Sequence, residues 1–180
     1  DPIEFVHPSK QCLITQRQVG VHTDSFKSAL RAALRQDPDV ILVGEMRDFE
    51  TIETALLAAE TGHLVFSTLH TLDAAETIGR MVEFFPREKQ PSVTSIMAGV
   101  LRGVVSQRLL PRKGGGRIPA VEVMVVNARI ADLIREKAEA GLIAHGPVTL
   151  SVDESAARSY SRASAATRAS SFESGIASAA

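Results

Sequence analysis

The chain has no tryptophan, one tyrosine and one cysteine among its 180 residues. Each scarcity narrows what it does. The lone Cys12 cannot form an internal disulfide, which suits a reducing compartment. So few large aromatic rings leave little on which single-stranded bases could stack. A formal net charge of −1 supplies no basic footprint for nucleic acid. No apolar run approaches the about 20 residues needed to span a bilayer, and a signal peptide is not expected at the start. No Gly-Lys pair occurs anywhere. The Gly-x₄-Gly-Lys-Ser/Thr phosphate loop is therefore missing from these residues, and with it the backbone donors and fixed lysine that cradle β- and γ-phosphates.

What is present is a chain with room for one domain and a tail, 44% apolar by composition. Spacing of Phe26, Leu30, Ala33 and Leu34 predicts a helix over 24–36, stopped by Pro38. Residues 40–43 read as a buried strand, and 49–60 as a helix closed by Gly62. A second strand is expected over 64–69, then a helix opened by the acidic capping pair Asp73 and Glu76 and ended by Pro86. Residues 92–109 read as helix, 118–126 as β-rich and 128–138 as a last helix. Strands alternating with helices of this length imply parallel β-α units, whose chemistry gathers at the strands' carboxyl ends. The triple glycine in Lys113–Arg117 is expected to be a mobile linker rather than a phosphate loop.

The run Asp37-Pro-Asp-Val-Ile-Leu-Val-Gly-Glu-Met-Arg-Asp48 is the most informative segment. An apolar strand that delivers a carboxylate, here Glu45, at its carboxyl edge is how nucleotide hydrolases place an acid beside the attacking water. A buried strand that merely ends in a charge is the plainer alternative. Further on, Thr61-Gly-His-Leu-Val-Phe-Ser-Thr-Leu-His-Thr71 is a strand with His63 at its entry and His70 at its exit. Seven residues apart across a strand, the two histidines fall on opposite faces, so a shared metal site is not expected. His63 also fits a plain role as a helix C-terminal cation.

Together with the opening Asp1-Pro-Ile-Glu-Phe5, these segments resemble the Asp, Walker B and His boxes of the ATPases that drive type II secretion and type IV pili. The likeness runs from Asp1 to about Glu136 and is greatest to the pilus-retraction (twitching motility) branch. It implies an α/β, RecA-like ATPase domain, incomplete here, with residues 1–142 as its C-terminal part and 143–180 as a divergent low-complexity tail. It implies ATP and Mg²⁺ as cofactors and Glu45 as the group that polarises water. Asp1 and Glu4 would reach the Mg²⁺–water shell, Glu4 and Glu45 touching the metal only through water. His70, beside Thr68 and Thr71, suits a γ-phosphate sensor, and His63 would be a second His-box residue.

The resemblance makes Arg17, Arg31 and Arg35 candidates for a finger that stabilises charge across a subunit boundary, although for Arg31 or Arg35 alone a solvated helix flank is the plainer reading. Leu133-Ile134-Arg135-Glu136 resembles the second half of a C-terminal motif that the retraction motors need for retraction rather than for hydrolysis. The resemblance further implies a homo-hexamer at the cytoplasmic face of the inner membrane, working on an inner-membrane platform protein, with no nucleic acid. It places the phosphate loop and a PAS-like domain upstream, which suggests a fragment that is inactive alone. A type II secretion or pilus-extension ATPase is the nearest alternative, disfavoured because many of these carry a four-cysteine insertion and no cysteine follows Cys12. A non-enzymatic module on a degenerate nucleotide fold is the alternative of another class. Ser and Ala make up 18 of residues 151–180, a composition that favours disorder. From about Ile143 the resemblance ends, consistent with an unrelated extension or a shifted reading frame.

Overall fold

A computed structural model describes residues 2–112, 115–137, 142 and 147–151, the last five by their backbone. The order of elements is α1 (Phe26–Leu34), β1 (Val40–Val43), α2 (Phe49–Glu60), β2 (Leu64–Ser67), α3 (Ala74–Glu83), α4 (Gln90–Val100), β3 (Gly103–Pro111), β4 (Arg117–Val125), α5 (Ala128–Arg135) and β5 (Pro147–Ser151). They divide into two compact units. One comprises residues 1–70 and 80–100, the other residues 71–79 and 101–180, so the chain passes from one to the other within α3.

In the first unit β1 and β2 pair in parallel, Val40 opposite Leu64 and Val43 opposite Ser67. The crossover between them is α2, which packs against α1, α4 and β2. Its start is fixed by Asp48, whose carboxylate accepts from the Thr51 backbone N–H at 2.8 Å and from the Thr51 hydroxyl at 2.9 Å. At its end Gly62 sits at φ +103°, the left-handed conformation that stops a helix most cheaply when no Cβ is present. Ile52, Ala58 and Met97 are fully buried and Phe85 nearly so. Phe85 meets Phe49 edge-on with ring centroids 5.2 Å apart. Lys89 spans Phe49 and Glu53, its ammonium 4.8 Å from the ring centre and 3.1 Å from the carboxylate.

The expectation that 40–43 is wholly buried holds for one face only. Ile41 and Val43 point into the core, whereas Val40 and Leu42 are exposed, as are Leu64 and Phe66 on β2. The pleat explains this: alternate residues face opposite sides, and the described residues pack helices against one side.

The second unit corrects the expectation of parallel β-α units throughout. Its sheet has the order β3-β4-β5 and is antiparallel, with Gly103 opposite Val125 and Pro111 opposite Arg117. Residues 92–109 are accordingly not one helix: α4 ends at Val100 and β3 occupies 103–111. The expected mobile linker falls partly outside the described residues, but its described glycines, Gly115 and Gly116, belong to the turn between the paired strands β3 and β4. Gly115 and Gly116 take positive φ, and the Arg112 N–H donates to the Gly116 carbonyl at 3.1 Å. Among the described residues β5 pairs with β4 from Ala120 onward, and Pro119 has β3 as its one neighbour strand, a position where proline is tolerated. Residues 147–151, within the segment read as tail, form β5 against β4. The Ser/Ala-rich stretch beyond Ser151 lies outside the described residues.

Within this unit, strand residues grip the start of α3. Glu122, 2% exposed on β4, accepts from the Ala74 N–H at 3.1 Å, placing a carboxylate at the positive end of the helix. Asp73 caps the Glu76 N–H and Glu76 reaches back to the Leu72 N–H, as the capping pair predicts. The Arg108 guanidinium donates to the Leu72 carbonyl at 3.3 Å.

Candidate functional site

Glu45 stands on the two-residue step between β1 and the turn that leads to α2. Its backbone is held from both flanks. The Met46 N–H donates to the Thr68 carbonyl at 3.1 Å, and the Thr68 hydroxyl donates to the Gly44 carbonyl at 2.6 Å. These bonds continue the β1–β2 pairing past the strands and stitch the segment after β1 to the segment after β2. Met46 is buried, whereas Arg47 beside it is exposed.

Both oxygens of the Glu45 carboxylate are engaged. The Arg47 Nε donates to Oε2 at 2.6 Å, and Nη2 lies 2.5 Å from the same oxygen as an ion pair. Oε1 faces His70 Nε2 at 3.4 Å. The Glu45 side chain is only 12% exposed, against 64% for Arg47 and 86% for His70. The Arg47 hydrogen bond holds the carboxyl below its ordinary value; partial burial opposes this, and the charges of Arg47 and His70 add to the lowering. Glu45 is thus an ionised acceptor at neutral pH.

Of the residues singled out in the sequence, Glu45 and His70 are brought together. His63 is not with them: its Nδ1 lies 3.0 Å from the Ala58 carbonyl and 3.2 Å from the Thr61 hydroxyl, at the C-terminal end of α2. Glu4 is exposed in the extended opening segment, and no hydrogen bond or ion pair joins it to Glu45 or His70 among the described residues. Asp1 lies outside the described residues. Arg17 is half-buried, with Nη1 3.5 Å from the Ala29 carbonyl of α1, while Arg31 and Arg35 are exposed on that helix. In the C-terminal motif, Leu133 and Ile134 are core residues at 3% and 0% exposure, whereas Arg135 pairs with Asp132 at 2.8 Å on the outside. Sequence reasoning missed Arg47 and Thr68. Arg47 is visible as a cation two residues from the acid; Thr68 carries no such signal, because its role depends on pairing across the strands.

The carboxyl edge of β1 and β2 offers a carboxylate, a histidine, the Thr68 hydroxyl and the Ser67 hydroxyl, whose buried oxygen has no partner among the described residues. That set suits the γ-phosphate and water end of a nucleotide and does not suit its α- and β-phosphates, for which no Gly-Lys cradle exists. Among the described residues no cluster of three His, Cys, Asp or Glu side chains could hold a metal directly.

A parallel strand pair crossed by α2, with an acid and a histidine on its carboxyl edge, defines a RecA-like α/β architecture. The chain belongs to the type II/IV secretion system protein family, whose model matches residues 1–114. It is 58% identical over 136 residues to the "Type IV pilus retractation ATPase PilT" of Pseudomonas aeruginosa, covering 76% of this chain and 40% of that protein. It is 56% identical over 137 residues to the "Twitching motility protein" of Neisseria gonorrhoeae, covering 76% of this chain and 37% of that protein. Among solved structures it superimposes on "Crystal Structure of the Pilus Retraction Motor PilT and Bound ADP" with a TM-score of 0.76 at 55% identity, over 80% of this chain and 42% of that one. The chain therefore spans about two fifths of the length of these relatives.

Proposed function

We propose that this chain carries the water-activating half of the site of an ATP-hydrolysing motor for type IV pilus retraction and twitching motility. The observation that supports it best is Glu45, held at the carboxyl edge of β1 with His70 3.4 Å away, in a chain 58% identical to a pilus-retraction ATPase. Bound ATP with Mg²⁺ supplies the phosphoryl group and the counter-charge that spreads over it. Glu45 orients water and accepts its proton; His70 senses the γ-phosphate from the neighbouring loop; Glu4 and Asp1 approach the metal's water shell. His63 serves in the His box from the far end of β2. The cytoplasmic face of the inner membrane is the place of work, a platform protein in that membrane the partner, and a homo-hexamer the working form.

Because these 180 residues hold no phosphate cradle, the chain alone is expected to hydrolyse no ATP. Phosphate release from the purified chain tests this, and turnover above background that disappears in Glu45→Gln would overturn it.

In the ring, the exposed Arg31 and Arg35, or the half-buried Arg17, reach a neighbouring subunit's nucleotide. Charge reversal at the true finger is expected to cut turnover by about 10³-fold or more while nucleotide affinity changes little. Rings of the full-length protein that mix this variant with Glu45→Gln should recover activity, since some boundaries then pair two intact halves. No recovery in rings of verified composition would mean that these arginines act within one subunit or only structurally.

A further inference from the structure

Arg47 is the group around Glu45 that the box motifs do not explain. Two of its nitrogens, Nε and Nη2, lie 2.6 and 2.5 Å from the same oxygen, Oε2. A guanidinium and carboxylate that only neutralise one another can pair fork to fork, one nitrogen on each oxygen. Here the fork closes on one oxygen and leaves Oε1 turned toward His70. The two oxygens are thereby made inequivalent. The backbone cannot rotate that choice away, because the Gly44 carbonyl and Met46 N–H are fixed to Thr68.

We propose that Arg47 is a positioning residue that fixes the rotation of the Glu45 carboxylate, assigning Oε1 as the oxygen that takes the proton from water and Oε2 as the anchored one. The proposal rests on the reading of Glu45 as the water-activating acid. It fits the exposures: Arg47 lies toward solvent with its head bent back onto a carboxylate that is itself largely covered. Such an arrangement selects a geometry and carries little net stability. It also has a chemical cost, since a cation on Oε2 makes the carboxylate a weaker base. Orientation outweighs that loss if a misaimed acid costs about 10²-fold, as a displacement of about 1 Å at a reacting group can.

Two measurements test it. In the full-length protein, Arg47→Gln is expected to lower kcat by about 10- to 10²-fold with KM for ATP little changed, and Arg47→Lys, which keeps the charge but not the fork, to recover only part of the loss. In the 180-residue chain, the Glu45 side-chain carboxyl ¹³C resonance, assigned by its loss in Glu45→Gln, reports the contact without any nucleotide. Arg47 and His70 are the charged groups that face it among the described residues. Its titration midpoint should rise toward the ordinary 4.5 in Arg47→Gln and fall partway back in Arg47→Lys. Full turnover in Arg47→Gln, or a midpoint that does not move, overturns the proposal. If Glu45→Gln itself keeps turnover, the functional reading fails with it; if Glu45→Gln is silent while Arg47→Gln runs at full rate, only the role of Arg47 is lost.

Discussion

Glu45→Gln in the full-length protein is expected to reduce ATP turnover by about 10²–10⁴-fold, the usual worth of a positioned general base, while nucleotide still binds. The amide preserves the volume and the packing against the turn. It can still accept a hydrogen bond through its oxygen, but it cannot take the proton that water must lose. The substitution also ends the ion pair with Arg47. Single-turnover phosphate release measured beside equilibrium binding of a fluorescent nucleotide separates the two quantities. Near-wild-type turnover would move the base to another acid, Glu4 being the one that the sequence offers. The activity should also persist well into the acid range before protonation removes it. The carboxyl is held below 4.5 in the folded protein, so the ionised form survives until pH falls through that lowered value.

Ile134→Ala should destabilise the protein by about 2–5 kcal/mol, the range for truncating a large buried aliphatic side chain. Ile134 is completely buried on α5, and its neighbours Ile130 and Leu133 are nearly so. The next residue makes the contrast. Arg135 pairs with Asp132 on the exposed side of the helix, both about half accessible, and removing an ion pair of that kind costs about 0.2–1 kcal/mol. Urea unfolding of the two variants side by side would show the difference. The consequence concerns the whole Leu133–Glu136 motif: substitutions in its apolar half are expected to act through folding, whereas an effect at Arg135 or Glu136 with stability intact would point to contact with something outside this helix. Equal, small shifts for both variants would mean that α5 is less well packed than its burial implies.

How much of this was legible in the sequence differs between the two units. The expected bounds of helix α2 match the structure, because the apolar face at Ile52, Ala55 and Leu56 and the stop at Gly62 are local signals. β1 was legible for the same reason. The hairpin β3–β4 was not. Its first strand carries Val104, Val105, Leu109 and Leu110 at spacings that also suit a helix, and Pro111 is the last residue of the strand. What makes 103–111 a strand is its register with 117–125, a pairing that no local window contains. In the site, Glu45 and His70 were recognisable as strand-end residues. The contact between them, and the grip of Arg47 on one oxygen, depend on where two loops meet after the chain has crossed through α2.

The outward face of the β1–β2 ribbon bears on how this polypeptide can be handled. Val40, Leu42, Leu64 and Phe66 lie side by side there, each about half exposed or more. A two-stranded ribbon carries little stability of its own, and flat apolar strand surfaces are where chains adhere to copies of themselves. Self-association is therefore expected to set a concentration limit for a solution of these 180 residues. Salts such as sulfate, which strengthen apolar association, lower that limit, and mild urea, which weakens it, raises it.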